Sequence, residues 1–210
     1  MTKDFERTVL LLLSGEFICR ISHPEAFKFL ESEEERNVVD GYFSRIGRRL
    51  ARTAHQSGYY LAFGRCGEDE RTAIRSHFHE IKATMTPIVL FFQLVMRSTG
   101  REDILMHGAM IESSAMMAQI DQDAGLRNEL QTVASMFKSS ATDDRSMFQS
   151  LLTKLKVGGY LSLVNPERGL YQVTAKVEYL LEVVRFLQEN DETLKGIGEE
   201  ESVEGQQQML

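Results

Sequence analysis

No stretch of this 210-residue sequence is apolar for long enough to cross a membrane. The longest nearly apolar run, Pro87 to Met96, is interrupted by Gln93 and falls well short of the about 20 residues a spanning helix needs. The run Val9 to Leu13 near the N-terminus is too short for a secretory-signal core, has acids beside it, and is followed by no small-residue cleavage pattern. Membrane insertion and secretion are both disfavoured. Cysteine is scarce: Cys19 and Cys66 stand alone, with no CxxC pair, which argues against a disulfide framework and for a reducing cytoplasm.

The signatures of small-molecule chemistry are missing too. There is no GxxxxGK(S/T) phosphate loop, GxGxxG turn, GxSxG elbow or HExxH helix. The five histidines, His23, His55, His77, His79 and His107, include no i, i+4 pair, and His77 and His79 point to different faces of any helix that holds them. No metal site, cofactor or catalytic residue is expected. The ten methionines read as deformable core, although Met106, Met110, Met116 and Met117 would also suit an adaptable partner surface.

A net basic charge is lacking as well. The formal charge is −7, but residues 191–210 hold six acids against Lys195, so residues 1–190 carry only −2. The folded part is close to neutral and leaves room for a local basic face. The tail itself is acidic, Gln-rich and poor in aromatics, the composition of a disordered segment.

What is present is helical periodicity broken at regular intervals. A helix over about Asp4 to Leu13 ends at Ser14-Gly15, a strand follows over Glu16 to Ile21, and Pro24 opens a short helix to about Leu30. Ser32 with Glu35 forms a capping box for a helix expected to run to about Thr53, with Val39, Phe43, Ile46 and Leu50 as its buried stripe. A turn at His55 to Gly58 leads to a strand, Tyr59 to Phe63.

A long helical region from about Glu68 to Ser98 contains Pro87, so a kink or break is expected near Thr86. Beyond it Ile88, Leu90, Phe91, Phe92 and Val95 make the helix apolar all round. Such a helix needs cover, from a second copy in a homodimer or from an inter-module core. Ile104, Gly108, Ile111, Ala115 and Ala118 then trace one helical face, and a short helix is expected near Leu126 to Phe137. Thr142 with Asp143 and Asp144 starts another, with Phe148, Leu151, Leu152 and Leu155 inward and Gly158-Gly159 as its stop. Strands at Tyr160 to Val164 and Leu170 to Val173 flank a turn-forming stretch. Thr174 caps a last helix with Val177, Leu180, Leu181, Val184 and Leu187 inward.

Helix, stop, strand, turn, strand is the order of a winged helix, and it occurs twice. The expected fold class is mainly α with small β-hairpin wings (α+β), as tandem winged-helix domains. Residues 1–66 form the first module, 67–100 the connecting helices, 101–190 the second module and 191–210 the tail.

One polar constellation stands out. Arg45, Arg48, Arg49 and Arg52 fall at i, i+3, i+4 and i+7, and on a helix they point well away from the Val39 stripe. That basic face suits duplex phosphates; the alternative is a solvated face paired with Glu33–Glu35 or an acidic partner. Lys154, Lys156 and Arg168, with Arg145, give the second module a weaker version.

The phrases Leu12-Leu13-Ser14-Gly15-Glu16-Phe17-Ile18-Cys19-Arg20, Ile46-Gly47-Arg48-Arg49-Leu50 with Gly58-Tyr59-Tyr60-Leu61-Ala62, and Leu155-Lys156-Val157-Gly158-Gly159-Tyr160-Leu161 resemble the MukE/MksE group. These are tandem winged-helix, kleisin-interacting subunits of bacterial SMC (condensin-like) complexes. The resemblance implies a dimeric, non-catalytic, nucleoid-associated subunit that binds a MukF/MksF-like kleisin and through it an SMC ATPase. It implies contact with double-stranded DNA without sequence specificity, in chromosome condensation and segregation or, in a Wadjet-like branch, plasmid defence. The rival is a free-standing winged-helix transcriptional regulator, which would usually carry a more basic recognition helix than Thr142 to Val157.

Overall fold

The computed structural model describes residues 3–65, 67–101, 105–187 and 189, with the backbone alone over 68–75 and 77–83. Cys66, Ile104, the side chains of His77 and His79 and the tail 191–210 lie outside the described residues.

In the first half, helix α1 (Lys3–Leu13) buries Phe5, Thr8, Val9 and Leu12, the i, i+3, i+4, i+7 face of an amphipathic helix. Strand β1 (Ile18–Cys19) is only two residues of the six expected. Helix α2 (Pro24–Leu30) begins on its proline, whose fixed φ suits a first turn. Helix α3 (Glu33–Ser44) is capped by Ser32, which accepts the Glu35 N–H, and places three glutamates in its first turn, where the helix dipole favours them.

The expectation that this helix runs to Thr53 is wrong. It stops at Ser44, and Arg48–Arg52 form strand β2, paired antiparallel with β3 (Gly58–Phe63). Gly47 explains the stop: its φ is +69°, a left-handed conformation that glycine adopts without penalty and that ends helical propagation. The residues beyond it alternate as readily as they recur at helical spacing. Leu50 faces the first core from the strand, while Ile46, expected in the buried stripe, is 55% exposed.

The sheet order is β1-β3-β2, so the first strand joins the third and the hairpin projects as a wing. The outer edge of β2 is closed by Asp40, whose Oδ1 accepts the Leu50 N–H at 2.7 Å.

Helix α4 (Glu68–Thr99) continues through Pro87, so of the kink or break expected there the break does not occur. At 32 residues it spans about 48 Å. The all-round apolar segment finds its cover inside the chain: Ile88, Phe91, Phe92, Leu94 and Val95 are buried in the second core with half-buried Leu90 against it, and Phe91 stacks on Phe148.

The helix expected through Gly108 and Ile111 is also absent. Residues 107–108 turn, Met110–Glu112 form strand β4, and helix α5 (Ser113–Gln122) starts only afterwards. Starting there, α5 turns Met116, Met117 and Ile120 inward and leaves Ala115 and Ala118 exposed.

Helix α6 (Ala124–Met136) is capped by Asp123, and α7 (Asp144–Val157) by Asp143, which accepts the Ser146 N–H. Strands β5 (Leu161–Asn165) and β6 (Leu170–Val173) complete a second sheet of order β4-β6-β5, the same arrangement as the first. The chain ends its described course in α8, residues 176–187, where Lys176 N–H is accepted by Thr174 Oγ1. Val177, Leu180, Val183 and Leu187 are buried and Leu181 and Val184 half-buried. The architecture is α+β and winged-helix-like in both halves.

Phe91 is fully buried, so Phe91→Ala is expected to destabilise the second core by about 3–5 kcal/mol. Leu13→Ala, at a half-exposed position of α1, should change stability by about 0.5 kcal/mol or less. Urea titrations of the two variants test the contrast.

Candidate functional site

A winged helix offers two surfaces to a partner, its third helix and its wing, and the two halves equip them differently. In the first half the third helix is α3, with Glu33, Glu34, Glu35 and Asp40 against the one base Arg36. Arg36 is turned inward at its guanidinium, donating to the carbonyls of Leu30 and Glu31 at 2.8 Å each. An acidic third helix repels a phosphate groove.

The four arginines meet on no helical face. Arg45 is the exposed C-cap of α3, and the other three alternate on β2, with Arg48 and Arg52 on the face opposite Arg49. Arg48 lies over its cross-strand partner Phe63, 3.7 Å from the ring centroid. Arg52 lies over Tyr59 at 4.7 Å and donates to Gln56 O at 3.1 Å. These planar cations cover apolar ring faces, while Arg45 and Arg49 project into solvent.

The first wing is not free. Its tip packs on α8, where Glu178, 4% exposed, accepts from Thr53 Oγ1 at 2.8 Å and Ser57 Oγ at 2.5 Å. One helical turn on, Glu182 accepts the Ala54 N–H at 2.6 Å.

Around this polar pair runs an aromatic triangle: Phe17 stacks on Tyr60 at 5.1 Å, and Tyr179 meets both rings at 5.1 and 4.9 Å. Burial and the neighbouring Tyr60, Tyr160 and Glu182 push the Tyr179 hydroxyl up to about 12. Lys176 sits over Phe17 and Tyr160 and donates to Gly158 O; burial lowers its pKa, opposed by Glu16. A Cβ on Gly58 would lie 2.5 Å from Ala175 Cβ, so glycine is what lets β3 approach α8 this closely. Beside it burial pushes the Cys19 thiol up, but the polar groups of His107, Ala175 and Ser22 around it, Ser22 by hydrogen bonds, outweigh that and bring it to about 7.

The second half is built the other way. Residues 145–166 contain no acid, and on α7 Arg145, Gln149, Thr153 and Lys156 are exposed within about 80° of arc at 100° per residue. Arg168 is exposed on the β5–β6 wing, and its N–H is held by Asn165 Oδ1 at 3.1 Å. Lys154 belongs to this surface less: its ammonium binds the carbonyls of Phe137 and Lys138 at the end of α6.

Thus the structure places Lys156 and Arg168 on the second half's outer surface and Arg45 and Arg49 on the first. Ile88, Phe91, Phe92 and Val95 are interior, with Leu90 half-buried beside them. Among the described residues no group of three or more His, Cys, Asp or Glu is placed to hold a metal ion, and no helix is long and apolar enough to cross a membrane. Sequence reasoning missed the junction altogether. Glu178 and Glu182, four apart on one side of a helix whose buried stripe is apolar, were its available signal.

The two winged-helix-like halves are joined through a wing and carry unlike third helices. The family model of condensin complex protein MksE matches residues 3–185, and the chain belongs to that family: it is a condensin-complex subunit. No curated protein matches it.

Glu178→Ala would leave the Thr53 and Ser57 hydroxyls without their shared acceptor, a loss of about 1–3 kcal/mol. Adding Thr53→Ala to Glu178→Ala should cost less than Thr53→Ala alone, the remainder being the Gly58 N–H that Thr53 Oγ1 also accepts at 3.2 Å, and a double-mutant cycle by urea denaturation reads that coupling.

Because the folded Tyr179 pKa is raised, its contribution to stability is complete below the unfolded value near 10. It is lost as pH rises through about 12. An absorbance titration of tyrosinate should show a component near 12 that disappears in Tyr179→Phe.

Proposed function

We propose that this chain is a non-catalytic accessory subunit of an SMC complex, working in the cytoplasm at the nucleoid. It binds a MukF/MksF-like kleisin, and through it an SMC ATPase, as a homodimer, and adds sequence-independent contacts to double-stranded DNA. The process served is chromosome condensation and segregation or plasmid defence. ATP chemistry then lies in the SMC partner.

The observation that carries this reading, beyond the family match, is the intramolecular docking of the first wing on α8. A free-standing regulator uses its wing and third helix together on a groove. Here the first wing is occupied and its third helix is acidic, which favours an adaptor that turns one half to protein and the other to DNA. The duplex side of the reading is assigned to α7 and the second wing, through Arg145, Lys156 and Arg168, with Lys154 at its margin. Arg45 and Arg49 are the remaining basic contacts of the first half, and Arg48 and Arg52 serve the hairpin. The homodimer rests on the family, since α4 is covered within one chain.

Binding to duplex DNA is expected to be weak, indifferent to sequence and lost at moderate salt, because each neutralised phosphate adds about 0.9 to the slope of log affinity against log salt. Arg145→Glu with Lys156→Glu and Arg168→Glu should abolish it in an anisotropy titration while kleisin capture persists. Unchanged affinity and salt slope in that triple variant would remove DNA contact from this surface.

A further inference from the structure

The exposed side of α3 is not a plain solvated helix face. Glu34, Asn37, Val38, Gly41, Tyr42 and Arg45 recur at i, i+3, i+4, i+7, i+8 and i+11, the row one helix presents to another. All six are exposed. Val38 is 53% and Tyr42 40% exposed, and Ile46, 55% exposed, continues the apolar strip past the helix end. Tyr42 also meets Phe5 of α1 edge-on, so the open part of the strip is Val38, the free side of Tyr42 and Ile46, an exposed apolar row of the kind a partner can cover.

Gly41 is the informative position. It lies mid-helix without a positive φ, where glycine costs about 1 kcal/mol relative to alanine. Nothing in the chain requires it, since a Cβ there would have no atom within 4 Å. Its lack of a side chain leaves a notch beside Val38 and Tyr42 where the α3 backbone is open to the approach of another helix.

Charge then selects the occupant. The helix carries net −3, counting Glu33, Glu34, Glu35 and Asp40 against Arg36, and the acids cluster at the end nearest Val38. Duplex DNA is repelled. A second copy meeting α3 by its own α3 would bring the same acids face to face.

We infer that the Glu34–Val38–Gly41–Tyr42 face of α3 docks a basic amphipathic helix of the kleisin-type partner, its apolar ridge seated in the Gly41 notch and its lysines or arginines facing Glu33 and Glu34. This rests on the proposed function and names the surface that performs it.

The test is a calorimetric titration of the full chain with the purified kleisin-type subunit of the same complex, at two salt concentrations, with a thermal melt for every variant. Gly41→Lys fills the notch with a like charge for the partner, and Glu33→Lys with Glu34→Lys reverses the acidic end. Each should weaken binding at least tenfold, and raised salt should weaken the wild type more than the charge-reversed variant. Gly41→Lys should melt no lower than wild type, because lysine is the better helix former and the position is open.

If the wild type binds and both variants bind within twofold of it, the α3 assignment is overturned while the kleisin reading stands. If the wild type itself does not bind, both fall. A Gly41→Lys variant that fails to fold overturns the notch, and one that changes oligomeric state or duplex affinity instead of kleisin affinity identifies a different occupant.

Discussion

The carboxylate of Glu178 is the point on which the arrangement of the two halves turns. It is buried and accepts two hydroxyl hydrogen bonds from the first wing. A buried carboxylate without partners is costly, so α8 can hold it there only while the wing tip is in place. The reverse also applies: Thr53 is buried and its hydroxyl reaches Glu178 across the junction. Each half therefore supplies what the other needs to bury its polar groups. The aromatic triangle of Phe17, Tyr60 and Tyr179 adds apolar area around the same contact, and Gly58 allows the backbones to come close enough for both.

Engaging the wing this way separates two otherwise matching folds. Both halves share the strand order first, third, second, yet one third helix is acidic with an apolar strip and the other carries bases on a polar face. The overall charge of −7 conceals this division, because α3 carries a cluster of four acids while the stretch from Arg145 to Pro166 has none. The division leaves the two halves with third helices of opposite charge character.

Much of the fold was legible because local chemistry determined it. Pro24 opens α2, Asp143 caps α7, and Phe148, Leu151, Leu152 and Leu155 are buried as their spacing requires. The errors arose where two periodicities coincide. Val39, Phe43, Ile46 and Leu50 keep helical spacing across a glycine that stops the helix, and Arg48, Leu50 and Arg52 equally keep strand alternation. Pairing with Phe63, Leu61 and Tyr59 decided the matter, and that pairing is a tertiary fact.

The same is true of β4, a three-residue strand whose existence depends on β6 some sixty positions later. The junction was illegible for a related reason: Thr53 and Glu178 are 125 residues apart, beyond any local pattern. The apolar segment from Ile88 to Met96 called for cover, and that the cover comes from the same chain is something the sequence does not say.

The bond from Leu50 N–H to Asp40 has a mechanical consequence. Asp40 belongs to the acidic helix, Leu50 to the strand that leads into the wing, and the wing is fastened to α8. The Asp40 bond, strand β2 and the wing-tip bonds to Glu178 therefore form one connected line from α3 to α8. The two halves are thereby coupled: a displacement of α3 cannot leave the contact of Glu178 with the wing-tip hydroxyls untouched.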